Sequence, residues 1–168
     1  MNLVLERFAA ECHDILKNDP GAHGLEQVRQ RLEKILVNEA VIKEILGPDK
    51  DSTRNILYQD AELGFCIIAH VYGEASVRNP HDHGPSWAIY GQVEGITEMT
   101  EFRLVENPKD GKPGKAEAVK TYDLKPGMAV TYEPGILHAP VRYGPTRLIR
   151  IEGINMDTVK RDKYEKVA

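Results

Sequence analysis

The first 46 residues carry apolar side chains at intervals of three and four positions, the spacing of one face of an α-helix. The pattern runs through LVLERFAAECHDILK, stops at the turn-forming segment NDPGAHG and resumes in LEQVRQRLEKILVNEAVIKEIL. Gly47 and Pro48 then end it, as a glycine followed by a proline commonly ends a helix. The sequence therefore predicts two N-terminal helices, and each must bury its apolar stripe against another element.

From about residue 52 the chain breaks into short runs rich in β-branched and aromatic residues, with turn signals about every eight to twelve positions. The candidate strands are TRNILYQ, FCIIAHVY, SWAIYGQV, ITEMTEFRLV, AEAVKTYDL, AVTYE, HAPVRYG and TRLIRIEG. The helices precede the strands and do not alternate with them, which favours a mainly β sandwich or barrel over a parallel α/β sheet. We expect one domain: a helical segment at 1–50 that packs on the barrel, a β-barrel at 51–156 and a polar tail at 157–168.

Composition and charge narrow the class of protein. Hydrophobic residues make up 41% of the 168 residues, as in globular proteins, and the net charge of -4 argues against a nucleic-acid partner. No apolar run approaches the ~20 residues of a membrane helix, and the N-terminus lacks the features of a secretory signal. Cys12 and Cys66 form no CxxC pair. We expect them to be buried thiols in a reducing cytoplasm.

The stretch RNPHDHGPSW contains the candidate chemistry. His81 and His83 are two positions apart, so in an extended segment both imidazoles point to the same face. His138 follows a Pro-Gly turn at the entrance of another predicted strand. Three imidazoles suit Fe, Zn, Cu or Ni and leave coordination positions open for a substrate. The alternative is a pair of solvated loop histidines.

HDH, followed about 50 residues later by EPGILH, resembles the two motifs of the cupin superfamily. The resemblance covers roughly residues 52–154. It implies a single-domain double-stranded β-helix, a jelly-roll barrel, here preceded by the two helices. The first cupin motif normally supplies two histidines and a glutamate, and the second supplies one more histidine. In this chain the glutamate position falls on Trp87 or Ala88, neither of which binds a metal.

A three-histidine set is similar to that of the cysteine dioxygenase-type thiol dioxygenases. The run HDHGPSWAIYGQVEGITEMT also resembles a bacterial group described as predicted metal-dependent double-stranded β-helix enzymes. The resemblance implies that His81, His83 and His138 bind Fe(II), with Zn(II), Ni(II) or Mn(II) as alternatives. It further implies O₂ and a small anionic molecule, such as a thiol carboxylate, as substrates. Small cupins commonly pair through barrel edges, so a homodimer is one of the oligomeric states that the sequence leaves open.

Five further residues are candidates for catalysis or substrate binding. Arg150 and Glu152 share one face of the last strand, where Arg150 would hold an anion and Glu152 would move a proton; the alternative is an exposed ion pair. Tyr90 is either a phenol donor near the metal or a barrel-filling aromatic residue. Arg142 would line the barrel mouth, and Arg54 lies about where thiol dioxygenases place their carboxylate-binding arginine. Further pocket candidates are Tyr58, Arg78 and Tyr132.

One departure from the thiol dioxygenases leaves the reaction open. Those enzymes carry Ser-x-His-x-Tyr on a late strand, where this chain reads LIRIE. The residues therefore fit three functions. The first is an Fe(II) dioxygenase, and the second is a redox-neutral metal-dependent isomerase, lyase or hydrolase with Glu152 as base. The third is a non-catalytic module that binds a small molecule.

Overall fold

A computed structural model describes residues 2–168. Three helices come first: α1 (Leu3–Asn18), α2 (Ala22–Leu36) and α3 (Glu39–Leu46). The second predicted helix is thus two helices. The side chain of Asn38 accepts a hydrogen bond from the backbone N–H of Val41 and caps α3, an interaction that competes with a continuous helix. None of these helices has the length and apolar character needed to cross a membrane in the described part of the chain.

Eight strands match the eight predicted runs, and two short strands are added. The ten are β1 (Asn55–Gln59), β2 (Cys66–Tyr72), β3 (Ser76–Val77), β4 (Ala88–Glu94), β5 (Thr97–Glu106), β6 (Gly114–Leu124), β7 (Ala129–Tyr132), β8 (Leu137–Arg142), β9 (Thr146–Glu152) and β10 (Tyr164–Lys166). The short β10 lies within the polar tail and pairs in parallel with β6.

The strands form two five-stranded sheets, ordered β1-β2-β9-β4-β7 and β10-β6-β5-β8-β3. One core lies between the sheets and contains Tyr90, Met99, Leu124 and Leu148. A second core lies between the first sheet and the helices. This confirms the predicted fold class, a mainly β, two-sheet barrel preceded by N-terminal helices.

The alternation of β9 divides its side chains between these two cores. Ile149 and Ile151 pack in the core beneath the helices, whereas Leu148 belongs to the core between the sheets. Successive strand residues point to opposite faces, so Arg150 shares the inner face with Leu148. The helices therefore cover one face of the first sheet and leave the barrel interior to the site.

Candidate metal centre

His81, His83 and His138 lie together at one end of the barrel. The backbones of His81 and His138 pair in an isolated antiparallel bridge, with N–H···O distances of 3.0 and 2.9 Å. This bridge ties the HDH loop to the first residues of β8. After His83 the chain turns at Gly84, which has a φ of +58° and donates its N–H to the Asp82 side chain. The pairing and the turn thus direct all three rings into one space.

The ring nitrogens are arranged as a metal site requires. One nitrogen from each histidine falls within 4.8 Å of the others, so the three could hold one metal ion. Nδ1 of His81 donates to the Asn79 carbonyl and Nδ1 of His138 donates to the Ile136 carbonyl, both at 3.0 Å. A carbonyl accepts only from a protonated nitrogen, so Nε2 of both rings keeps its lone pair. Ligating histidines are commonly oriented by such hydrogen bonds.

Burial also keeps these imidazoles neutral. It lowers the pKa of His81 to about 4 and the pKa of His138 to about 3, and it lowers the pKa of His83 further. The charge of Arg150 acts in the same direction on all three rings. A neutral imidazole is the form that binds a metal, so the site is ready for an ion at neutral pH without releasing protons from the ligands.

Two tyrosines complete the surroundings of the histidines. The hydroxyl of Tyr90 lies 3.0 Å from Nε2 of His83 and 3.4 Å from Nε2 of His138. The ring of Tyr132 stacks on His138 with 3.8 Å between centroids. Burial raises the pKa of Tyr90, so its hydroxyl is a neutral proton donor. Tyr90 thus adjoins the candidate metal position, and Tyr132 holds the His138 ring in place.

A cavity of about 510 Å³ opens beside the histidines. His81 and Tyr90 form part of its wall. Its other lining residues are Tyr72, Val77, Arg78, Asn79, Pro140, Arg142, Arg150 and Arg161. Four of these are arginines and none is acidic, so the cavity is suited to an anion.

Arg150 and Glu152 lie where the strand pattern predicts, but Glu152 is not in the cavity wall. Its carboxylate is fully buried, 2.6 Å from Nη2 of Arg150 and 3.2 and 3.1 Å from the two terminal nitrogens of Arg54. Arg54 also contacts Asn155 and Asp157. Arg54 and Glu152 therefore form an ion-pair network that supports Arg150. The substrate-binding role of Arg54 and the proton-transfer role of Glu152 stay predictions.

The structure places the remaining candidates, Arg78 and Tyr58, in different parts of the molecule. Arg78 lines the cavity, whereas the hydroxyl of Tyr58 donates to Asp60, which also contacts His13 on α1. Five cavity residues were not predicted: Tyr72, Val77, Asn79, Pro140 and Arg161. Tyr72 could have been found from the inward alternation of β2, but Arg161 comes from the polar tail, which has no periodic signal.

No protein-family model matches this chain, and no curated protein matches it. Solved structures with a similar fold include an uncharacterised conserved protein with a double-stranded β-helix domain from Klebsiella pneumoniae, at 14% identity, covering 74% of this chain and 89% of that one, with a TM-score of 0.49.

Two further structures are similar over a smaller share of this chain. KdgF from Halomonas sp. is 19% identical over 63% of this chain and 82% of its own, with a TM-score of 0.46. A cupin superfamily protein from Desulfitobacterium hafniense is 12% identical over 64% and 84%, with a TM-score of 0.45. Similarities of this size assign no activity to the present chain.

Proposed function

We propose that this protein is a metal-dependent enzyme, a non-haem Fe(II) dioxygenase that acts on a small anionic substrate such as a thiol carboxylate. The observation that carries the proposal is the cluster of three neutral imidazoles beside a cavity lined by four arginines. His81, His83 and His138 would hold the metal. Three protein ligands leave positions open for substrate and O₂.

The bound metal would supply the electronic chemistry that joins O₂ to the sulfur of the substrate. The protein's own residues bind and orient. Arg142 and Arg150 face the cavity and would bind the anionic group. Tyr90 presents a protonated hydroxyl between two of the histidines, where it would donate a hydrogen bond or a proton to the substrate.

Redox-neutral metal chemistry is the second candidate, and the position of Tyr90 favours it. A buried neutral phenol beside a metal is suited to protonating a leaving group or an enolate, as an isomerase, lyase or hydrolase requires. Glu152 is less suited to this role because both of its oxygens already contact arginines. The absence of Ser-x-His-x-Tyr from β9 fits the same candidate. A non-catalytic binding module is the third candidate.

The test is metal content after purification without added metal, followed by anaerobic Fe(II) loading and oxygen uptake against small thiol carboxylates and diketones. The proposal predicts near-stoichiometric iron and oxygen uptake only with an accepted substrate. His81→Ala and His138→Ala should lose the metal. His23→Ala, an exposed histidine on α2, is the matched control and should keep it.

Tight Zn or Ni without oxygen uptake would refute the dioxygenase and support redox-neutral chemistry. Metal content unchanged in His81→Ala and His138→Ala would refute the three-histidine site. Bound metal without turnover of any compound would leave the binding module. The cytoplasmic location remains a prediction, and a homodimer remains one of the open oligomeric states.

A further inference from the structure

The arginines of the cavity differ in whether a carboxylate neutralises them. Arg150 is paired with Glu152 at 2.6 Å. Arg78, Arg142 and Arg161 make no ion pair with any described residue, 2–168, and Arg161 donates only to the backbone carbonyl of Asp82. Glu152 cannot compensate for them, because it already faces Arg150 and Arg54. The cavity therefore has three guanidinium groups without a protein counter-charge.

Arg142 is the most unusual of the three because it is buried. It is 3% exposed, and within residues 2–168 its guanidinium has no hydrogen-bond acceptor; its Nε is fully enclosed. The centroid of the Tyr72 ring lies 4.0 Å from its central guanidinium carbon, a cation–π contact. A buried charge without a partner is strongly unfavourable. Burial and the charges of Arg78 and Arg150 lower the pKa of Arg142 accordingly.

The other two unpaired arginines lie further out. Arg78 and Arg161 are exposed, and both line the same cavity as Arg142. The cavity thus has cations at two depths, one buried and two at the mouth. A monoanion bound to Arg142 would leave Arg78 and Arg161 facing solvent alone. A volume of about 510 Å³ accommodates a small molecule that reaches both depths.

We infer that the substrate of this site carries two separate anionic groups, as a small dicarboxylate does, with Arg142 binding the inner group and Arg78 and Arg161 binding the outer one. The inference rests on the proposed function because the same cavity is bordered by His81 and Tyr90. The inner anion supplies the counter-charge that Arg142 lacks, in the bidentate geometry that a guanidinium offers to a carboxylate.

The experiment is calorimetric titration of the metal-free protein, so that its result does not depend on iron or on turnover. The probes are succinate and butyrate, which have four carbons each and differ in one carboxylate, with malonate and glutarate to vary the spacing. Inorganic phosphate tests a single group of high charge. We expect at least one dicarboxylate to bind at least about tenfold more tightly than butyrate, as loss of a charged hydrogen-bonded contact implies.

Three variants test which arginine binds each anionic group of the ligand. Arg142→Met should abolish dicarboxylate binding, and Arg142→Lys should weaken it, since lysine keeps the charge but loses the planar fork. Arg78→Met should reduce dicarboxylate affinity toward that of butyrate and leave butyrate unchanged. Arg103→Met, an exposed arginine on β5, is the matched control. Without anions, Arg142→Met should unfold at a temperature equal to or above that of the wild type, so that a loss of binding in this variant reflects the missing guanidinium and not misfolding.

The outcomes separate this inference from the proposed function. Equal affinity for butyrate and every dicarboxylate, tighter binding of phosphate than of any dicarboxylate, or unchanged binding in Arg142→Met would each overturn the inference. Dicarboxylate binding that needs Arg142 would support it even if the loaded protein consumed no oxygen. Conversely, iron-dependent oxygen uptake with no dicarboxylate preference would support the function alone.

Discussion

Replacement of Glu152 by glutamine tests whether this residue is structural. Glu152 is 0% exposed and lies between Arg54 and Arg150, whose side chains are 21% and 15% exposed. Removing one partner of a buried ion pair costs about 3–5 kcal/mol, because the remaining charge is left uncompensated. Both arginines retain some contact with water, which screens part of that cost. We therefore expect Glu152→Gln to lower the free energy of unfolding by about 3 kcal/mol.

For a domain of this length that loss corresponds to a fall of about 6–12 °C in the unfolding temperature. The assay is urea denaturation at neutral pH followed by circular dichroism, with thermal unfolding as a second probe. Glu117→Gln is the matched control, since Glu117 pairs with Arg103 on the exposed face of β5 and β6. That variant should change stability by about 0–1 kcal/mol. If Glu152→Gln loses no more free energy of unfolding than this control, Glu152 is not a structural residue. It would then again be a candidate for proton transfer.

Three further predictions follow from the same structure. Burial, followed by the charge of Arg150, lowers the pKa of His70 from 6.5 to about 2. Below pH 6.5 the unfolded chain therefore binds a proton that the folded chain does not. The free energy of unfolding should therefore fall with decreasing pH. Between pH 5.5 and 4.5 its slope against pH should be less steep by about 1.4 kcal/mol per pH unit in His70→Gln than in the wild type. Equal slopes, measured by urea titration at each pH, would contradict the burial of this ring. Tyr90→Phe should retain the metal, as measured by elemental analysis, because the three imidazoles are unchanged. Its turnover should fall about 10²–10⁴-fold, because the hydroxyl that contacts the histidines is lost. Undiminished turnover would assign Tyr90 to packing alone. Cys12 and Cys66 are buried, which raises the pKa of both thiols. Neither should react with a thiol reagent until denaturant is added, and rapid reaction of the native protein would show that one of them is accessible.

Much of the fold and the three candidate ligands could be predicted from the sequence because the relevant signals are local. Helical and strand periods come from neighbouring residues, and all eight predicted runs are strands in the structure. The HDH motif stands out by the two-residue spacing of its histidines, and His138 stands out by the Pro-Gly turn before it. The break at Asn38 was missed because a capping side chain changes the outcome without interrupting the apolar period.

What only the tertiary structure decided is which side chains meet and which charges remain unpaired. His81 reaches His138 through backbone pairing between distant segments, and Arg161 enters the cavity wall from the tail, 79 residues from the carbonyl it contacts. The sequence placed Arg150 and Glu152 on one face, but it could not show that Glu152 is shared with Arg54. Nor could it show that Arg142 has no counter-charge among residues 2–168. The sequence by itself determined the eight longer strands, the helical N-terminal segment and the three histidines of the candidate site. Long-range packing determined which side chains are buried. Burial distinguishes Arg142, whose charge must find its partner in a ligand, from the exposed arginines of the same cavity.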